Sequence, residues 1–439
     1  MSRRPNILVV IADDHQHDAI GALGHPDVQT PCLDGLVQRG TVFEQASIMG
    51  SMVPAVCLPT RACLLTGRHL YAANIWPEGE TRNPVIPGDA CTLPQLFSQA
   101  GYETFLTGKW HNDRGALLRS FEKGRSIFFG GMSEHRPVRV RDLTEIAANS
   151  SIREVNAFSS DLFADTLCSF VEERERSRPF FAWLAFTSPH DPRTPPVEYR
   201  NRYREEELTL PGSFLPEHPF DNGELTVRDE CLAPRPRTPE MIRGHLADYY
   251  GMISHHDAAL GRVIDALSRT GEIDNTIIVY LSDHGLALGR HGLLGKQNLY
   301  EHSIRVPFLL SGPGVPATRI STPIYSLDAF ATLLELAGLE SPPHLESRSL
   351  KPIWEGRADV SRETLFAAYR NCQRMVRDER WKLICYRVGE QEERRQLFDL
   401  IRDPLELHDR SDVAECAPVI DRLQQCLEEW QSSVGDRWH

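Results

Sequence analysis

Short, mostly apolar runs that end abruptly in charged or turn-forming residues constrain this chain more than any other feature. They are Ile7–Ala12, Thr104–Leu106, Phe180–Phe186, Thr276–Leu281 and Phe308–Leu310. Each is too short for a buried helix and lacks the alternation of a half-exposed strand, so each reads as a strand covered on both faces. Between them lie helical patterns at Leu33–Arg39, Leu93–Ala100, Ser160–Arg174, Pro239–Thr270 and Leu327–Ala337. Strands alternating with helices predict an α/β fold, a large and mostly parallel sheet sandwiched by helices. The longest helix carries Met252, Ile253, Leu260, Val263, Ile264 and Leu267 at helical spacing, a stripe expected to face the sheet.

Near residue 340 the texture changes. Leu365–Ala368, Arg374–Val376, Trp381–Tyr386 and Gln396–Leu400 read as short strands joined by polar turns, and Val419–Trp430 reads as a closing helix. The expectation is two domains, 1–340 and 341–439, the second a smaller C-terminal antiparallel sheet plus helix. The stretches 111–158 and 191–238 are rich in Pro, Arg and Glu with weak periodicity. They are expected to be long loops over the ligand-binding face, because open α/β sheets take ligands at the carboxyl ends of their strands.

The net charge of −13 argues against a nucleic-acid or anionic-membrane partner, since the long-range field repels polyanions. A small anion held by a few focused cations is still compatible with it. No stretch approaches membrane-spanning length. The start, Met1-Ser2-Arg3-Arg4-Pro5, leads into an apolar run that stops at Ala12 before Asp13-Asp14, too short for a signal-peptide core. The chain as given is therefore expected in the cytoplasm, with the periplasm or the exterior as the expectation if a leader has been trimmed. Ten scattered cysteines without a CxxC pair predict reduced thiols rather than a disulfide framework.

Two strand ends carry groups suited to a cation. Asp13 and Asp14 follow the first run directly, where adjacent carboxylates repel unless a cation lies between them. Ser282-Asp283-His284-Gly285 ends the Thr276–Leu281 run in the same way. Each alone is compatible with a solvated or hydrogen-bonded turn, and the two together favour one shared metal shell. Cys57-Leu58-Pro59-Thr60-Arg61 continues to Gly67-Arg68. Pro59 suits the first turn of a helix and Gly67 its end, which puts Cys57 where orphan amides favour an anion or thiolate.

The stretch Cys57 to Arg68 resembles the signature of the sulfatase family, within the alkaline phosphatase superfamily, whose Cys-x-Pro-x-Arg cysteine is oxidised to formylglycine. The likeness extends over most of the chain. It takes in Pro5-Asn6-Ile7-Leu8 before Asp13-Asp14, Thr107-Gly108-Lys109-Trp110-His111, Ser188-Pro189-His190, Ser282-Asp283-His284-Gly285 and Gly292-Leu293-Leu294-Gly295-Lys296. Leu397-Phe398-Asp399-Leu400 with Asp403-Pro404 resembles the family's small domain. Leu58 and Thr60 depart from the commoner small residue and Ser, and His284 stands where many members carry Asn.

The resemblance implies a sulfuric ester hydrolase acting on a small-molecule or oligosaccharide sulfate ester, by default a carbohydrate sulfate. It implies a divalent cation, Ca²⁺ with Mg²⁺ or Mn²⁺ as alternatives, held by Asp13, Asp14, Cys57 as its formylglycine, Asp283 and His284. Arg61, Lys109, His111, His190 and Lys296 would bind sulfate and move protons beside Cys57. A formylglycine-generating enzyme is implied as a transient partner. Residues near these motifs or on the expected loops, Trp76, His135, Arg193, Arg290, His291 and His302, are taken as a substrate rim, with His15 and His17 nearby. Rival readings are a phosphonate monoester or phosphodiester hydrolase of the same superfamily, an unmodified metal-dependent phosphatase with a structural Cys57, and a non-catalytic binder of sulfated glycans.

Overall fold

The structure, a computed structural model, describes residues 4–76, 83–343, 345–357, 362–390 and 393–438; Met1–Arg3 of the opening segment lie outside the described residues. Of its strands, those that build the two larger sheets are, in chain order to residue 320, β1 (Asn6–Ala12), β2 (Thr41–Phe43), β3 (Gly50–Ser51), β4 (Glu103–Lys109), β5 (Lys123–Phe128), β6 (Phe180–Ala185), β7 (Thr276–Ser282), β8 (Phe308–Ser311) and β9 (Thr318–Ile320). Eight of them form the main sheet in the order β9-β2-β8-β7-β1-β6-β4-β5. Strands β7, β1, β6, β4 and β5 run parallel. Only β8 runs against the rest, pairing antiparallel with β7 and with β2.

The central strand shows why its sequence is apolar throughout. Leu8, Val10 and Ala12 pack on one face with helices α1 (Pro31–Arg39), α4 (Ser159–Glu173) and α5 (Pro239–Arg269), through Leu33, Phe163, Leu167, Leu260 and Val263. Ile7, Val9 and Ile11 point the other way, against α2 (Cys57–Thr66), α3 (Leu93–Gln99) and α6 (Ala329–Leu336), through Leu65, Phe97 and Phe330. Alternating side chains thus meet two separate cores, and no position along the strand is left for water.

Two expectations change. The α5 stripe divides: Leu260, Val263 and Leu267 face the sheet, whereas Ile253 packs with Ile242, Leu246 and Tyr250 against Leu286, Leu288 and Leu294. A helix of 31 residues, roughly 46 Å long at 1.5 Å per residue, outruns the sheet and covers the loops beyond it. The stretch 111–158 is not only loop, since it contains β5, the outermost strand of the main sheet. Being at the edge, β5 exposes Lys123 and Arg125 and so lacks the uniform apolar signal of the inner strands.

The C-terminal strands β10 (Leu365–Tyr369), β11 (Gln373–Arg377), β12 (Trp381–Tyr386) and β13 (Arg394–Asp399) form an antiparallel sheet, to whose edge the distant β3 adds in parallel. One face, with Val376, Leu383 and Leu397, packs on Leu423 and Leu427 of α7 (Ala417–Val434). The other face sends Met375, Ile384 and Phe398 into the main core. Among the described residues, no helix is long and apolar enough to cross a membrane.

Candidate active site

The carboxyl ends of the parallel strands converge on one buried cluster. Asp13 and Asp14 follow β1, Asp283 and His284 follow β7, Lys109 ends β4, and His190 stands five residues after β6. Cys57 is the first residue of α2, a helix buried at all ten positions. Gly67 stops that helix at φ 65°, its N–H donating to the Cys63 carbonyl at 2.8 Å. A Cβ there would lie 2.9 Å from the Phe330 ring, so a glycine is needed for space as well as for conformation. Asp14 (φ 73°) and His111 (φ 47°) both adopt left-handed backbone, and the His111 ring lies against Cys57.

The cluster pairs one cation with each carboxylate. Lys109 Nζ donates to Asp13, Lys296 Nζ to both Asp14 oxygens at 2.9 and 3.1 Å, and Arg61 Nε to Asp283 at 2.8 Å. Arg61 Nη1 also donates to the Lys109 carbonyl at 2.9 Å, tying α2 to β4. Cys57 Sγ lies 3.0 Å from His111 Nδ1 and 3.7 Å from Lys109 Nζ. Burial alone would raise the Cys57 thiol, but His111 and Lys109 outweigh it and hold it well below its ordinary value. Burial also opposes the charge on Asp14, yet His190, His284 and Lys296 together lower it well below the usual carboxylate range. His190 is pushed down to about 4, first by burial and then by Lys296, so its ring is neutral near pH 7.

A divalent cation fits the residues present. His284 Nδ1 lies 3.0 Å from the Gly285 carbonyl and donates to it, so that in the neutral ring Nε2, 2.8 Å from Asp14 Oδ1 without hydrogen-bond alignment, carries a lone pair for a cation. Asp13 Oδ1 is likewise buried with no hydrogen-bond partner, a costly state for a carboxylate oxygen. Ligand atoms of Asp13, Cys57, Asp283 and His284 lie within 4.8 Å of one another. Without a cation, burial disfavours a charged His284, but Asp14 and then Asp283 overcome it and hold the ring's value up at about 10. Three carboxylates and one imidazole form a hard, oxygen-rich donor set. Arg61 Nη2, a donor, is also buried and unpartnered, and suits an oxygen atom beside the cation.

The ten residues expected at the centre are therefore brought together; those expected at a rim are not. His135 is buried behind His190, its Nε2 2.9 Å from the His190 carbonyl and its Nδ1 3.1 Å from Ser159 Oγ. His291 stacks on Tyr300 at 4.2 Å, with His302 beside it, and its Nε2 lies 3.1 Å from the Glu406 carbonyl. Arg290 donates to Asp18. Arg193 lies half-buried beside His245. Trp76 borders a cavity of about 610 Å³ next to the small sheet. His15 is a buried partner of Tyr280 at 2.6 Å, and His17 is half-buried.

Sequence reasoning missed a polar arch formed by the 191–238 stretch. Arg228 donates to Asp191 at 3.0 Å and Asp229 at 2.6 Å, and Gln297 donates to Asp229 at 2.8 Å. Asp229 also stands 3.9 Å from Lys296 Nζ. The only signal for Asp191 and Gln297 was adjacency to His190 and Lys296; Arg228 and Asp229 had none.

The profile of the sulfatase family matches residues 5–339, and that of the N-sulphoglucosamine sulphohydrolase C-terminal region matches residues 289–433. The chain is 27% identical to an N-acetylglucosamine-6-O-sulfatase of Bacteroides thetaiotaomicron, over 99% of this chain and 88% of that protein. A solved structure, described in complex with its substrate D-glucosamine-2-N,6-O-disulfate, superposes with a TM-score of 0.79 at 24% identity, covering 99% of both chains. The phosphonate monoester hydrolase of Agrobacterium radiobacter has the same fold, with a TM-score of 0.77 at 23% identity over 98% of this chain and 96% of that one. With a family profile spanning most of its length, the chain belongs to the sulfatase family, hydrolases of sulfuric esters.

Proposed function

We propose that this sulfatase hydrolyses a sulfate monoester of a carbohydrate, using Cys57 converted to formylglycine and a bound Ca²⁺. The observation that carries the reading is the buried placement of Cys57, 3.0 Å from His111 Nδ1, beside three carboxylates each held by its own cation. Sulfated glucosamine is named for the Bacteroides relative and for the complexed structure, which supports a sugar sulfate here. When present, the hydrated aldehyde at position 57 supplies a nucleophilic hydroxyl and the cation supplies the charge that favours its ionised form.

The chain's own groups do the rest. Asp13, Asp14, Asp283 and His284 hold the cation, and Arg61 steadies Asp283 while offering Nη2 to an oxygen at position 57. Lys109 and Lys296 face the space beside Cys57 and bind sulfate oxygens, an anion-binding arrangement that matters most where charge shifts during sulfur transfer. His190 in its protonated form binds a sulfate oxygen through Nε2–H, and it or Lys296 gives a proton to the leaving alcohol oxygen; in the neutral ring Nδ1–H donates to the Asp191 carbonyl at 2.7 Å and Nε2 is a lone pair. His111 Nδ1, 3.0 Å from Cys57 Sγ, would take a proton from a hydroxyl at position 57. Water is consumed overall, and alcohol and inorganic sulfate are released. We also propose a boundary near residue 340, with the smaller unit lending one wall to the substrate approach, and a formylglycine-generating enzyme as a transient partner.

The test is peptide mass spectrometry of the Cys57 region, with turnover of a panel of sulfated mono- and disaccharides and of aryl sulfates and phosphonates. Conversion at Cys57 with a higher kcat/KM for sulfate esters is expected. A large preference for the phosphonate, or activity that persists in a fully unconverted protein, overturns the reading.

A further inference from the structure

Lys296 stands in a stretch, 283–300, that contains neither helix nor strand, yet its Nζ must reach Asp14 at 2.9 and 3.1 Å. A loop keeps such a position only if its backbone polar groups find partners. The carbonyls find theirs within the loop: those of Leu293, Leu294 and Gly295 accept from the N–H groups of Gly289, Leu288 and Ala287 at 2.8, 3.3 and 3.0 Å. The N–H groups of Leu294, Gly295 and Lys296 are taken by side chains instead. Leu294 N donates to both Glu230 oxygens at 3.0 and 3.1 Å, and Gly295 N to Glu230 Oε1 at 2.8 Å. Lys296 N donates to Gln297 Oε1 at 3.0 Å, and the same amide group donates to Asp229 Oδ2 at 2.8 Å.

Two adjacent carboxylates thus hold three consecutive amides that end at Lys296. Both belong to the 191–238 stretch, which supplies none of the residues at the centre of the site. Glu230 is buried, and its charge is balanced by the buried Arg237, whose Nη2 donates to it at 2.6 Å. Arg237 Nη1 donates to the Gly292 carbonyl, so the same pair grips the loop at two points. A buried carboxylate left without such donors would be costly, which makes the clamp specific for this loop position. The fit is close. A Cβ on Gly295 would lie 2.6 Å from Gln297 Oε1, 2.8 Å from Asp229 Cβ and 3.2 Å from Glu230 Oε1. Asp229 also stands 3.9 Å from Lys296 Nζ, so the ammonium has a carboxylate of the clamp near it as well as Asp14.

From this we infer that Glu230 and Asp229 are positioning residues for ester hydrolysis, fixing the Leu294–Lys296 backbone so that the Lys296 ammonium meets the sulfate group beside Cys57. The inference rests on the sulfate-binding role given to Lys296 above and goes beyond it by naming what sets that lysine in place. A contact that only glued the 191–238 stretch to the domain would act whether or not position 296 carries an ammonium. A positioning contact acts through that ammonium alone.

The experiment is a double-mutant cycle in protein whose aldehyde at position 57 is verified, read with the sulfate ester of the panel above that the parent turns over best. Lys296→Ala is expected to lower kcat about 100-fold. Glu230→Gln keeps the shape of the side chain but turns an amide N–H toward the clamp's donors. It should lower kcat about tenfold with KM within about twofold, and Gln297→Ala should lower kcat about fivefold. In the Lys296→Ala background each should cost less than about twofold further, because the group they act through is gone. Losses that repeat in full in that background, or an unchanged kcat in both clamp variants, overturn the inference. Gln297→Ala leaves the Glu230–Arg237 pair intact and carries the cycle if Glu230→Gln does not fold. If Lys296→Ala keeps kcat within about threefold of the parent, the role of Lys296 fails and the inference falls with it. A damaged Lys296→Ala beside undamaged clamp variants removes the inference alone.

Discussion

Gly108 is the position where a single methyl group tests the geometry of the site most directly. It lies in β4 at φ 98°, and a Cβ there would fall 1.9 Å from the carbonyl oxygen of Ala185 on the neighbouring β6. Real Cβ atoms do not approach within 3.0 Å of such an atom, and the neighbour is backbone, so the two strands must part by about 1 Å. Holding alanine at this φ costs about 1–2 kcal/mol, and forcing an extra methyl into a packed interior adds about 1–3 kcal/mol. Gly108→Ala should therefore lose about 2–5 kcal/mol in guanidinium unfolding. The displacement falls one residue from Lys109, whose Nζ contacts Asp13 and lies 3.7 Å from Cys57 Sγ. A shift of that size at a catalytic contact is expected to cut kcat about 100-fold. A variant within 0.5 kcal/mol of the parent and within threefold of its kcat would refute the close strand contact and its link to Lys109.

Arg61→Ala leaves the buried Asp283 without its cation next to two other carboxylates and should cost about 3–5 kcal/mol in chemical denaturation of the chelated protein, where a loss under 1 kcal/mol contradicts the pairing. Chelation is expected to lower the thermal midpoint and Ca²⁺ to restore it, by about 2.7 kcal/mol at a hundredfold excess over Kd; a midpoint indifferent to both rules out a cation in this shell. His218 and His291 are buried, and burial pushes both from 6.5 down to about 4. The unfolded chain takes up their protons first, so stability is full above pH 6.5 and falls as the pH drops toward 4, by about 2 kcal/mol per ring at pH 5. Urea midpoints that do not change between pH 7.5 and 5 would show these rings to be open to water.

How much of this was legible in the sequence depends on whether a residue's role is local or assembled. The inner strands announced themselves because β1 meets a core on each face, so every position from Ile7 to Ala12 had to be apolar. The edge strand β5 did not, because Lys123 and Arg125 face water and break the run. The third kind of strand, β3, was invisible: Gly50–Ser51 is two residues long and pairs with β10 more than three hundred residues away. The same distinction separates the site residues. Asp13, Asp14, Lys109, Asp283 and His284 stand at strand ends or directly beyond them, where topology fixes their position as soon as the strands are recognised.

Three residues expected at the rim, His135, His291 and His302, lie in the interior for a reason that bears on the substrate side of the site. They were singled out for their chemistry and their neighbours in sequence, yet a histidine held by a hydrogen bond to a carbonyl or by a stacked ring serves well as an interior strut. His135 does so between His190 and Ser159, and His291 between Tyr300 and Glu406. The groups that do reach open space come from segments without a motif: Arg228 from an irregular stretch and Arg437 from the tail after α7. Nothing local constrains such residues, because loops answer to a ligand rather than to a strand register. Specificity in this protein is therefore to be sought in the loops and the C-terminal tail. The buried cluster, with its one-to-one pairing of carboxylates and cations, sets the chemistry and leaves the choice of ester to them.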